Sequence, residues 1–310
     1  MRRRDLLAAP LALSPGCATA QSLSAARPRT PPVPLRERLG ALRLGANVER
    51  WFAIASNNQP RRLGPGWWRG FRAAGFDHAR LFIPDVSQTG DGGGVAETFR
   101  DVVADANAAG LPVLLGVSDF IKHDAPWGQR EWAALAARAA VLASTDPAQV
   151  VLSPVNEAVF PDAAMWTPVR DRLLGVLRRA APRHTLMWGG HEWGSWRSLI
   201  QNTPPADPNT VAEVHDYEGG DTGAVEWRFG QVAAWRERHG QTVLVAELGG
   251  AVNHRENRAA WAADLQQSLP VLRRLRLPVA LWAYTHGGHW RLQPGEGPAL
   301  HSEFRAALES

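Results

Sequence analysis

Two stretches of this chain bring an apolar strand to a carboxylate. VVLSPVNE (150–157) ends on Asn156 and Glu157, and LVAELGG (244–250) carries Glu247 at its centre. A pair of carboxylates can share one bond cleavage, the first giving a proton to the leaving group while the second attacks or activates water. That division of labour requires surroundings that push the two proton affinities apart. The means are present at the ends of other apolar runs: Asn47 and Glu49; Arg80 within HARLFI; Asp85; Ser118 and Asp119; His191 and Glu192; His215, Asp216 and Tyr217; Trp282, Tyr284 and His286. Polar loops alone explain some of these residues. They do not explain Arg80 or Glu247 inside apolar strands, where a charge is tolerated only beside a partner.

The elements that must hold these groups repeat with one rhythm. Eight apolar runs read as buried strands, at 41–49, 78–83, 112–119, 150–157, 185–190, 209–217, 242–250 and 278–286. Between them lie amphipathic segments at helical spacing, such as 95–110, 130–144 and 169–182. Gly75, Gly110, Pro182 and Gly240 stop helices just before the next strand. Eight strand–helix units predict an α/β fold, a single (β/α)8 TIM barrel over residues 39–310. The active site is then expected where the C-terminal strand ends meet. An open doubly wound sheet would want a glycine-rich phosphate turn after its first strand, and LGANVERW is not one.

Composition narrows the class further. Of 310 residues, 45% are hydrophobic and 21% charged, as in a soluble globular protein. The pI near 10.1 reflects arginine, since Lys122 is the only lysine, and no dense basic run lies beyond the N-terminus to suggest nucleic acid. Fourteen Trp against 9 Phe and 2 Tyr is unusual, and indole suits both packing and stacking on a ligand's apolar face. Residues 1–20, with Arg2, Arg3 and Arg4 ahead of a short apolar stretch and Ala18-Thr19-Ala20, read as a twin-arginine-like signal peptide. Residues 21–38 read as a flexible Pro-rich lead-in. A periplasmic or secreted location is expected. Cys17, the one cysteine, falls inside the signal, and LSPGC is a poor match to a lipidation site. No apolar run reaches membrane-span length.

With these residues in place, the chain resembles glycoside hydrolase family 5, the cellulase family. GFDHARLFIP is similar to its second-strand segment with an inward arginine, here Arg80. VVLSPVNEAV matches the fourth-strand Asn-Glu motif, AEVHDY the sixth-strand His-x-Tyr, LVAELGG the seventh-strand nucleophile segment, and ALWAY the last-strand tryptophan. The resemblance runs in order over roughly residues 41–300. It implies a retaining glycosidase with Glu157 as acid/base and Glu247 as nucleophile, acting on a β-linked polysaccharide or oligosaccharide such as β-glucan, cellulose or mannan.

That chemistry asks for the neighbours already named. Arg80 and Tyr217 would hold Glu247 ionised, Asn156 would donate to a sugar hydroxyl, and His215 would tune Glu157. Trp282 offers a platform at the cleavage point. Asn47 and Trp193 are further substrate-binding candidates, and Trp51 and Trp290 are candidates for outer subsites. Trp67, Trp68 and Trp132 sit at helical spacing and read as packing residues. One departure concerns the third strand, where many members have a substrate-facing histidine. Here Ser118 stands at that place, with Asp119 or His123 as possible replacements.

The alternatives are a barrel transglycosylase, a non-catalytic polysaccharide-binding barrel, or a metallohydrolase built from HEW (191–193), HDY (215–217) and HGGH (286–289). No H-x-H ends the first strand and no H-E-x-x-H motif is present, which argues against the last. No cofactor or metal is expected, nor a membrane span, and the chain is expected to be a monomer.

Overall fold

The structure, a computed structural model, describes residues 35–48, 63–83, 93–118, 120–285, 290–295 and 297–309. Ten strands occur among them: β1 (Leu44–Val48), β2 (His78–Phe82), β3 (Val113–Gly116), β4 (Phe120–Lys122), β5 (Val150–Ser153), β6 (Glu157–Val159), β7 (Thr185–Trp188), β8 (Thr210–Asp216), β9 (Val243–Leu248) and β10 (Val279–Thr285). Strands β1, β2, β3, β5, β7, β8, β9 and β10 pair in that order, all parallel. β10 returns to β1 with Leu44 beside Val279, which closes the barrel. The fold is a (β/α)8 barrel, as the alternating pattern predicts.

Helices follow the strands on the outside: α2 (Pro65–Ala73), α3 (Gly93–Ala108), α4 (Gln129–Leu142), α5 (Ala163–Ala180), α6 (Trp196–Gln201), α7 (Thr222–His239), α8 (Arg258–Leu275) and α9 (Ser302–Glu309). Their ends obey local chemistry. Asp162 caps α5 by accepting from the Met165 N–H at 2.8 Å, so this helix starts six residues before the amphipathic signal at 169 and runs through Pro168. Gly240 ends α7 with φ of 59°, a left-handed conformation that glycine enters without cost.

Two apolar layers hold the fold. The larger one fills the space between strands and helices and contains Trp68, Phe71, Trp166, Trp188, Trp235 and Trp261. The smaller one lies inside the barrel, where Leu114, Val151, Met187, Val211 and Leu244 meet Leu35 and Leu39 of α1 (Leu35–Leu39). This corrects the expected boundary of the lead-in. Residues 35–38 belong to a helix whose two leucines are buried within the barrel domain.

A second correction concerns the fourth barrel strand. Residues 150–157 are not one strand, because Pro154 has no N–H to give a neighbour and the ladder stops at Ser153. The chain steps aside and the Asn156 N–H donates to the Ser118 carbonyl at 2.9 Å. β6 then pairs with β4 in a separate two-stranded sheet, Phe120 opposite Glu157. Glu157 therefore opens a strand of its own above the barrel wall.

Candidate active site

Strand alternation builds the floor of the site. Along β8 every second residue shares a face: Val211 joins the inner apolar layer, and Glu213 and His215 follow it into the polar site. Arg80, on β2 and fully buried, faces them and organises the centre. Its Nη1 donates to Asn47 Oδ1 at 3.0 Å and to Glu247 Oε1 at 2.5 Å. Its Nη2 donates to Asn156 Oδ1 at 3.0 Å and to Glu213 Oε2 at 3.1 Å. One guanidinium thus ties β1, β8, β9 and the chain just before β6 together. Its planar fork suits this better than a lysine's point charge.

The two motif carboxylates come together. One oxygen of Glu157, one of Glu247 and a ring nitrogen of His215 all lie within 4.8 Å of one another. Their surroundings differ. Glu247 is buried and is held by Arg80 and by the Tyr217 hydroxyl, which donates to its Oε2. Burial pushes the Tyr217 phenol well above its usual range, with the Glu247 charge acting the same way, so Tyr217 stays a donor. Glu157 keeps 14% of its side chain exposed and receives a hydrogen bond from His215 Nδ1 at 2.9 Å. Burial raises the Glu157 carboxyl above the usual carboxylate range, and the Glu247 charge adds to this against the His215 bond.

The site's backbone is packed closely around these groups. At Gly249, just past β9, a side chain's Cβ would fall 2.3 Å from the Tyr217 ring, and Tyr217 is backed by Trp290 at 5.7 Å. Only glycine leaves Tyr217 room to reach Glu247. Along β10 every residue is buried except Trp282, whose ring meets Phe82 edge to face at 5.7 Å. Phe82 in turn lies under the Arg80 guanidinium at 4.3 Å.

Residues 70–288 match the family description Cellulase (glycosyl hydrolase family 5), which covers more than half of the chain. This chain belongs to glycosyl hydrolase family 5. It is therefore a glycoside hydrolase. Solved structures similar to it include Cel5A of Thermotoga maritima in complex with mannotriose (17% identity, 89% of this chain and 100% of that one, TM-score 0.69). A hyperthermophilic endo-β-1,4-glucanase in complex with substrate gives 13% identity, 89% and 99% coverage and a TM-score of 0.71. The cellulose synthase subunit Z of Clostridioides difficile gives 15%, 87%, 100% and 0.70. At these identities the likeness is one of fold. A stretch of 56 residues is 32% identical to Endoglucanase 3 of Fibrobacter succinogenes, matching 18% of this chain and only 8% of that protein.

Within this family 5 hydrolase the remaining candidates divide. Trp193 is 43% exposed at the rim, with Phe120 at 5.8 Å and Lys122 Nζ 5.0 Å from its ring. Asn47 is fully buried, and its amide nitrogen donates to the carbonyls of Ala246 (2.9 Å) and Leu281 (3.2 Å). It braces Arg80 from behind. Trp290 packs between Tyr217 and Trp261. Ser118 turns outward, with the Arg138 Nη1 of α4 3.4 Å from its hydroxyl, and His123 is exposed beside Phe160. Asp119, Glu49, Trp51, Asp85, His286 and the HGGH run lie outside the described residues. His191 accepts from Asn202 at 3.0 Å, in contact with none of the central groups, so HEW adds nothing to a metal cluster. Glu157, His215 and Glu247 could geometrically hold an ion. Arg80 and Tyr217 already donate to Glu247, and His215 already donates to Glu157.

The residue that sequence reasoning passed over is Glu213. It is fully buried, receives Arg80 and the Ser153 hydroxyl at 3.1 Å each, and makes a third carboxylate at the centre. Its signal was legible: stepping back two from His215 along a strand lands on it.

Proposed function

We propose that this chain is a retaining endo-β-glycosidase that cleaves a β-1,4-linked glucan, with Glu157 as acid/base and Glu247 as nucleophile. The observation that carries this reading is the carboxylate separation. Oxygens within 4.8 Å of each other match the short gap of about 5–5.5 Å that goes with retention, whereas inversion needs a wider one.

The neighbours supply each step. His215 donates to Glu157 Oε1, so the proton of the neutral acid sits on Oε2, free to meet the glycosidic oxygen. Glu247, ionised and held by Arg80 and Tyr217, attacks the anomeric carbon as the bond to the leaving sugar breaks, giving a glycosyl ester. Glu157, now a carboxylate, takes a proton from water. That water opens the ester and restores both groups. Asn156 has its oxygen turned to Arg80, which leaves its amide nitrogen as the end available to the sugar's 2-hydroxyl. Trp282 would lie under the sugar at the cleavage point, and Trp193 would contact a more distant unit.

The glucan assignment draws on the endoglucanase and endo-β-1,4-glucanase relatives. The Thermotoga structure with mannotriose makes mannan the companion substrate to test. Residues 1–20 support export to the periplasm or beyond. On a panel of carboxymethylcellulose, mixed-linkage β-glucan, glucomannan and mannan, wild-type protein is expected to lower the viscosity of a glucan well before reducing ends accumulate. Activity confined to terminal aryl glycosides would contradict internal cleavage, and activity on mannan alone would move the substrate class. Sugar-to-sugar transfer in place of release would make the chain a transglycosylase.

A further inference from the structure

The proton inventory around Arg80 has a consequence for its neighbour. Each terminal nitrogen of a guanidinium carries two protons. Nη1 gives its pair to Asn47 and Glu247, and Nη2 gives its pair to Asn156 and Glu213. The Asn47 oxygen is correctly assigned, because its amide nitrogen already faces two carbonyls. His215 Nε2 lies 3.2 Å from Arg80 Nη2, whose two protons are already taken by Asn156 and Glu213. That leaves Nε2 to carry a proton of its own, with the Glu213 Oε2 anion at 3.6 Å. On the other side of the ring Nδ1 donates to Glu157 at 2.9 Å, with Glu247 Oε2 at 3.6 Å.

We propose that His215 is an imidazolium in the resting protein, and that Glu213 is a positioning residue, the buried anion that keeps it so while holding the lower edge of Arg80. His215 faces Glu157 from β6, Glu247 from β9, Arg80 from β2 and Glu213 from its own strand. With Glu157 protonated, the two anions Glu213 and Glu247 balance the two cations Arg80 and His215. Burial alone would strip the proton from His215, but the Glu247 charge and the hydrogen bonds to Glu157 and Glu213 outweigh it and raise the ring to about 10. Burial works against the charge of Glu213 too, and Arg80, His215 and Ser153 together hold it below the usual carboxylate range. Without Glu213 the buried charge would be positive by one, and His215, which has the Glu213 carboxylate at 3.6 Å, would hold its proton less tightly. A cationic His215 also has a use: it stays a donor to Glu157 throughout, in the acid form and in the carboxylate that follows.

The proposal concerns the proton count on one ring, so it does not stand or fall with the roles assigned to Glu157 and Glu247. The test is a pH titration of the full chain labelled with 15N-histidine, with the His215 signals identified by their loss in His215→Asn. Both ring nitrogens of His215 should be protonated across neutral pH, releasing a proton only near about 10. In Glu213→Gln, which keeps the side-chain volume and can still accept from Ser153, that release should fall by about two pH units or more, and Glu213→Asp should restore most of it. A wild-type His215 carrying one proton at neutral pH would overturn the proposal, whether or not the Gln variant folds. So would a Glu213→Gln protein whose His215 titrates as in wild type.

Discussion

Glu247→Gln is expected to lose at least about a hundredfold in kcat on every glycan the wild type cleaves, because no other group replaces a nucleophile. The amide has the carboxylate's shape but cannot form a glycosyl ester. Folding should survive the change. Removing one partner of a buried ion pair usually costs about 3–5 kcal/mol because the other charge is left uncompensated. Arg80 keeps Glu213 at its Nη2, and the positive charge left in excess is relieved when Glu157 ionises beside His215. The thermal transition of Glu247→Gln should therefore stay cooperative while activity disappears. A loss much smaller than a hundredfold, in protein shown to be folded, would remove Glu247 from the reaction.

Glu157→Gln is expected to separate substrates by their leaving groups. A polysaccharide leaves as an alkoxide that needs a proton, so kcat/KM on glucan should fall by about a hundredfold or more. A dinitrophenyl glycoside leaves as a stable phenolate and needs none. Its kcat/KM should change little, while kcat falls because the ester now lacks a base for its second step. The pH profile carries the same information. Glu157 acts as an acid only while protonated, and burial raises its affinity for that proton. Wild-type kcat/KM on glucan should accordingly decline on the alkaline side as Glu157 ionises, and in Glu157→Gln with the activated glycoside that limb should vanish. Equal losses on both substrates would show that Glu157 is not the proton donor.

The sequence carried the barrel plainly, because strands buried on both faces read as unbroken apolar runs and an intervening charge stands out. Arg80 and Glu247 were found for that reason, and they meet. What it hid follows from geometry at finer grain. Pro154 divides 150–157, so Glu157 sits on a two-stranded sheet of its own, and nothing in the apolar run announces that pairing. Asn47 stands at a strand end like a ligand-binding residue, but its amide is committed to carbonyls of β9 and β10, which only the closed barrel brings within reach. Ser118, expected from the resemblance to stand where a substrate-facing histidine would be, has its hydroxyl beside Arg138. Glu213 lies two residues before the polar end of its strand, where the barrel interior is already charged one layer deeper.

The central claim is a covalent bond to Glu247, and it can be seen by mass. Incubation of the wild-type protein with dinitrophenyl 2-deoxy-2-fluoro-β-cellobioside should add one fluorocellobiosyl group to the intact chain, because the fluorine slows release of the ester more than its leaving group slows formation. Proteolysis should then place the added mass on the peptide that contains Glu247, and Glu247→Gln should take up none. Turnover of the unfluorinated glycoside with an inverted first-formed anomer, and no mass added at Glu247, would contradict the account.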